Sequence, residues 1–138
     1  MSTPETFLDS NVLVEFLLNK HTDEAERIRN LFRRVATQDE IIHLSATVLF
    51  EAAFVVTRRY DISREEAARA FKRLIALPGV RLPEPMIITD TLDLWVKETP
   101  LSFADCYHLM LTRHLGLDAI YTFDKKMGRL PDITRREP

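Results

Sequence analysis

A chain of 138 residues with 46% hydrophobic side chains can bury the core of one ordinary domain without disulfides or a structural metal. Its formal net charge of -2 argues against a bulk electrostatic binder of nucleic acid, so any such contact has to come from local basic clusters. The single cysteine, Cys106, cannot pair within the chain, the first residues are polar, and no apolar run approaches the roughly 20 residues that a membrane helix needs, which together predict a soluble, cytoplasmic protein.

In chain order, Thr6–Leu8 reads as a strand that runs through Asp9-Ser10-Asn11 into a helix carrying Val12, Leu13, Phe16 and Leu17 at helical spacing. Asp23 and Glu26 have capping-box spacing, and Ala25, Ile28, Leu31, Phe32 and Val35 form the apolar stripe of a second helix. Ile41–Leu44 is a short buried strand. Ser45 caps a helix reaching Tyr60, with Val48, Leu49, Ala52, Val55 and Val56 facing inward, and Ser63 with Glu66 opens another through Ala76, so the two form a helical hairpin.

Pro78-Gly79 breaks the pattern before a brief strand at Val80–Leu82, and a helix from Met86 to about Glu98 is stopped by Pro100. Ser102 with Asp105 opens the next helix, which closes at Gly116, and Ala119–Tyr121 is a strand delivering Thr122-Phe123-Asp124 to its carboxyl end. A last strand is expected at Ile133. Short apolar strands alternating with amphipathic helices predict a three-layer α/β/α domain with a central, mainly parallel sheet, one domain over residues 1–138.

Ligands of an open parallel sheet bind beyond the carboxyl ends of its strands, where Asp9 and Asp124 both fall. Each acid also has a structural explanation, as an N-cap or an Asx-turn. Glu51 is the one charge in the apolar run from Ala46 to Val56, so its side chain is expected in a crowded region, held by a salt bridge to an arginine or by a metal. Asp105 lies in a first helical turn, which favours an acid in its own right.

Four carboxylates meeting at one point would repel by roughly 4 kcal/mol per pair at 4 Å, so convergence would require a cation. All-oxygen ligands suit Mg2+ or Mn2+ rather than zinc, and His21, His43, His108 and His114 show no ligand spacing. Basic clusters occur at Arg27, Arg29, Arg33 and Arg34, at Arg58 and Arg59, at Arg69, Lys72 and Arg73, and at Lys125, Lys126 and Arg129. Each fits a solvated helix face as well as a phosphate contact.

The set Phe7-Leu8-Asp9-Ser10-Asn11-Val12-Leu13, Glu51 in its apolar helix, Ser102-Phe103-Ala104-Asp105 and Thr122-Phe123-Asp124 resembles, in order and spacing, the four acidic motifs of PIN domains. The compact length is similar to that of VapC-like toxins of prokaryotic toxin–antitoxin pairs. The resemblance implies an endoribonuclease in which Asp9, Glu51, Asp105 and Asp124 are both catalytic and metal ligands, Asn11 and Thr122 support them by hydrogen bonding, and the cofactor is Mg2+ with Mn2+ as a plausible substitute. It further implies an RNA substrate, products with 5′-phosphate and 3′-hydroxyl ends, a cognate antitoxin, and a homodimer. Ser10 stands where threonine is commoner, a change that should keep the turn chemistry.

Other readings compete. A phosphatase of the haloacid-dehalogenase type needs a second Asp two residues after the first, and position 11 is Asn. A DNA-acting 5′-nuclease relative would usually carry extra helical segments. A PIN-like binding module without catalysis would keep the fold, although retention of all four acids counts against it. Cys106 reads as a small buried apolar residue rather than a nucleophile.

Overall fold

The computed structural model describes residues 2–138, which divide into two compact units, the first ending at Pro83 and the second comprising Glu84–Pro138. Every strand pairing within either unit is parallel. Among the described residues no helix is long and apolar enough to cross a membrane.

In the first unit, strand β1 (Glu5–Phe7) leads into α1 (Ser10–Leu18) and α2 (Asp23–Ala36), then β2 (Ile41–His43), α3 (Ala46–Arg59), α4 (Arg64–Ile75) and β3 (Val80–Arg81). The strands form one sheet in the order β1-β2-β3, with Thr6 opposite Ile42 and Ile42 opposite Val80. Each pair of helices is therefore a crossover between parallel neighbours, the connection such strands require. The core is built from Leu13, Val35, Ile42, Leu49, Val56 and Phe71, none more than 1% exposed. Phe16 of α1 meets Phe32 of α2 with ring centroids 4.3 Å apart.

Several boundaries differ from the sequence reading. The first strand is Glu5–Phe7 rather than Thr6–Leu8, because register pairing ends at Phe7 opposite His43; Leu8 still donates its N–H to the His43 carbonyl at 3.0 Å and is buried. The cap of α2 is Thr22, not Asp23: its hydroxyl accepts from the Ala25 N–H at 3.0 Å, leaving Asp23 in the first turn, where the helix dipole favours it. The second strand stops at His43 and the third at Arg81, each one residue earlier than expected. Ser45 and Ser63 cap α3 and α4 as predicted, accepting from the N–H groups of Val48 and Glu66.

The second unit contains α5 (Pro85–Lys97), α6 (Phe103–His114), β4 (Ala119–Tyr121), a short 3-10 turn over Lys125–Gly128, and β5 (Thr134–Arg136). Strands β4 and β5 pair in parallel, Ala119 opposite Thr134 and Tyr121 opposite Arg136. The last strand thus begins after Ile133, which is a 2% exposed core residue instead. The 3-10 turn has no counterpart in the sequence reading, since four residues are too few to show a helical period. Leu92, Leu101, Leu109 and Cys106 are fully buried here, and Trp95 packs edge-on against Phe103 with centroids 5.4 Å apart.

Two positions make the architecture testable. At Gly79 a Cβ would lie 2.5 Å from the carbonyl oxygens of both Glu40 and Val35, and the Gly79 carbonyl accepts from Ile42 N–H at 2.9 Å to fix the β2–β3 register. Gly79→Ala should therefore destabilise the fold by about 1–3 kcal/mol in urea unfolding, the usual cost of overpacking. In the second unit Arg113 clamps Asp132 through two hydrogen bonds of 2.7 Å, and this bonding holds the Asp132 carboxyl below its usual pKa. A lowered carboxylate pKa contributes stability above the unfolded value and loses it as pH falls through the folded one. Asp132→Asn should lower the melting temperature at neutral pH, and the gap to the parent should close on acidification.

Candidate active site

The four acids divide two and two between the units. Asp9 follows β1 directly and is the N-cap of α1, its Oδ1 accepting from the Ser10 N–H at 2.8 Å. The side chain is exposed, as is that of Asn11 in the first turn. Glu51 lies in the second turn of α3, and the Ser10 hydroxyl donates to its Oε2 at 2.8 Å. Ser10 thus ties the end of β1 to α3, next to Asp9 in the chain.

Glu51 departs from expectation, because its side chain is exposed rather than crowded and its described partner is a serine hydroxyl rather than an arginine. Helical periodicity gives the reason. Val48, Leu49, Ala52, Ala53 and Val56 bury one face of α3, while Thr47, Glu51, Phe54 and Arg58 recur on the opposite, exposed stripe. That stripe carries two apolar or weakly polar members, so the local composition concealed its exposure. Phe54 is 58% exposed, with the Arg58 guanidinium 5.5 Å from its ring centre.

In the second unit Asp105 is half-buried and belongs to a complete capping box. Its Oδ2 accepts from the Ser102 N–H at 3.0 Å, and the Ser102 hydroxyl accepts from the Asp105 N–H at 3.1 Å. Asp124, also half-buried, follows β4 and caps the 3-10 turn by accepting from the Lys126 N–H at 2.9 Å, with Lys126 Nζ 3.7 Å from its Oδ2. The Thr122 hydroxyl accepts from the Asp124 N–H at 3.0 Å.

Each acid is therefore held at the start of a helix or by a hydroxyl, and all are exposed or half-buried. Among the described residues no three or more His, Cys, Asp and Glu side chains are grouped to hold a metal ion. A cleft of about 740 Å³ in the first unit is lined by Ser10 and Asn11, with Arg27, Arg34 and Tyr60 among its other walls, and adjoins the Asp9 turn without including its carboxylate. Ser10 is the residue sequence reasoning undervalued: its bond to Glu51 spans 41 positions, and no local pattern announces it.

The PIN domain family model matches residues 6–133, and the chain belongs to that family. It has the α/β/α fold class with parallel strands that the sequence predicts. Among solved structures it is similar to Mycobacterium tuberculosis VapC20, described as a sarcin-ricin loop cleaving toxin, at 21% identity over 89% of this chain and 92% of that one, with a TM-score of 0.40. No curated protein matches the chain in sequence at a significant level.

The capping geometry yields a test of structure apart from activity. Asn retains a side-chain oxygen that can accept from the Ser102 N–H, so Asp105→Asn should keep its melting stability within about 1 kcal/mol of the parent, whereas Ser102→Ala should lose about that much or more. Thermal unfolding of the two variants compares them directly.

Proposed function

We propose that this PIN-domain protein is a metal-dependent endoribonuclease, the toxin of a VapC-like toxin–antitoxin pair. Asp9, Glu51, Asp105 and Asp124 together hold Mg2+, or Mn2+ in its place, with Asn11 and Thr122 in support. The observation that carries the reading is the family match over residues 6–133, which takes in all four acidic motifs. The match also runs across both units, which supports treating residues 1–138 as one PIN domain.

The donor chemistry fits such a cation. Every proposed ligand offers only hard carboxylate oxygen, the preference of Mg2+ and Mn2+, and none of the four side chains is buried. When bound, the metal supplies a water of lowered pKa and neutralises charge on the phosphodiester being hydrolysed. The chain's own part is positional. Ser10 orients Glu51, Ser102 orients Asp105, and Thr122 with the Lys126 N–H fixes the turn that presents Asp124. A preset carboxylate loses less rotamer freedom on binding a cation than a loose one.

The partners that follow are an RNA substrate, a cognate antitoxin and a second copy of the chain. An arginine from the antitoxin, entering among the carboxylates, would replace the cation's charge. Cys106, the single cysteine and a buried one, accords with a reducing cytoplasm.

Cleavage of a mixed RNA pool tests the reading. Purified protein should cut with Mg2+ or Mn2+, stop with chelator, and leave 5′-phosphate ends. Asp105→Asn should lower the rate by more than the roughly 10–100-fold that loss of a metal's outer hydrogen-bonding partner costs. Metal-dependent cutting of DNA alone would move the protein to the 5′-nuclease relatives, and failure to cut either polymer would make it a binding module.

A further inference from the structure

Tyr121 and Phe123 are the most exposed aromatic side chains among the described residues, at 70% and 74%, and they immediately precede Asp124. The β4–β5 ladder continues beyond Tyr121 through the Thr122 N–H to the Arg136 carbonyl at 2.9 Å. Phe123 stands at a bend just past the strand, and its ring and that of Tyr121 are exposed on either side of the half-buried Thr122. Tyr121 lies opposite Arg136 in the parallel register, and both line a cleft of about 290 Å³ with Leu117, Asp118 and Ile120.

Cations without an ion-pair partner stand beside these rings, as they do at Arg27, Arg59, Arg69 and Arg73 among the described residues. Elsewhere, Arg29 and Arg33 are paired with Glu26, Arg34 with Glu40, and Arg129 with Glu98. Lys126 is engaged by Asp124. Lys125 and Arg136 are exposed, and neither forms an ion pair among the described residues. Exposed aromatic faces interleaved with uncompensated cations are what an unpaired nucleic-acid strand requires: flat surfaces on which splayed bases stack, and positive charge for the phosphates between them.

We propose that Tyr121, Phe123, Lys125 and Arg136 form a platform for single-stranded RNA beside Asp124. The bases stack on the two rings, and the phosphates meet Lys125 and Arg136. Asp118, the acid in the same cleft, turns phosphate away from its own end and so directs the backbone toward the cations. The inference rests on the nuclease reading for its substrate. It adds the surface that selects unpaired RNA.

Binding of a fluorescently labelled single-stranded RNA and of its duplex, with chelator present to prevent cleavage, is the test. The parent should favour the single strand. Phe123→Ala should weaken that binding by roughly tenfold, the scale of one lost base–aromatic stack, and Phe123→Tyr should restore it. Lys125→Ala and Arg136→Ala should each lower the slope of log affinity against log salt by about one phosphate contact.

A second measurement does not depend on loss of function. Because Trp95, the chain's single tryptophan, is buried, the Phe123→Trp variant should show added fluorescence that single-stranded RNA quenches. Unchanged RNA affinity in Phe123→Ala, together with no quenching in Phe123→Trp, would overturn the platform. A change confined to self-association or antitoxin binding would also overturn it, by showing that the surface serves a protein. Protein that cleaves RNA but shows no Phe123 dependence keeps the nuclease reading and loses this one, whereas protein that binds single strands through Phe123 without cleaving does the reverse.

Discussion

The first N–H groups of a helix have no partner within it, and satisfying them with side-chain oxygens is the constraint around which this protein is organised. Asp9 does so after β1, Ser102 and Asp105 do so at the start of α6, and Asp124 does so after β4. The same bonds that complete the turns hold the carboxylates of Asp9, Asp105 and Asp124. Local structure and candidate chemistry are thus carried by the same atoms, and neither role argues against the other.

Packing explains why these turns hold their places. In the first unit Gly79, whose missing side chain lets its backbone approach Val35 and Glu40, leads directly into β3, and the apolar stripes of α2, α3 and α4 bury Val35, Leu49, Val56 and Phe71 in the same core as Ile42 of the sheet. In the second, Met127 and Ile133 anchor the segment between β4 and β5 in the core on the carboxyl side of Asp124. Glu51 is the exception among the acids. It caps nothing, and the Ser10 hydroxyl supplies the restraint that a cap supplies elsewhere.

Much of this was legible in the sequence because it is local. Serine followed three residues later by an acid found the true starts of α4 and α6, and Ser45 marked the start of α3. Parallel strands followed from the alternation of short apolar runs with amphipathic helices. The errors fall where several local solutions compete or where distance matters. Thr22 and Asp23 are both good caps, and the structure uses Thr22. Glu51 looked crowded because its neighbours are apolar, yet periodicity sorts those neighbours onto the other face. The Ser10–Glu51 bond, the exposure of Tyr121 and Phe123, and the ion pairs of Arg34 with Glu40 and Arg129 with Glu98 are products of tertiary structure, which spacing alone does not encode.

The proposal that Asp9, Glu51, Asp105 and Asp124 hold one cation is tested by metal binding measured directly, independently of any RNA. Titration of Mn2+ followed by electron paramagnetic resonance, on the parent and on Asp9→Asn, Glu51→Gln, Asp105→Asn and Asp124→Asn, reads how much metal is held by each. The account predicts that every one of the four substitutions weakens the same binding event. Undiminished binding in either the Asp9 and Glu51 pair of variants or the Asp105 and Asp124 pair would contradict it, since a cation indifferent to one unit's acids is not shared by both.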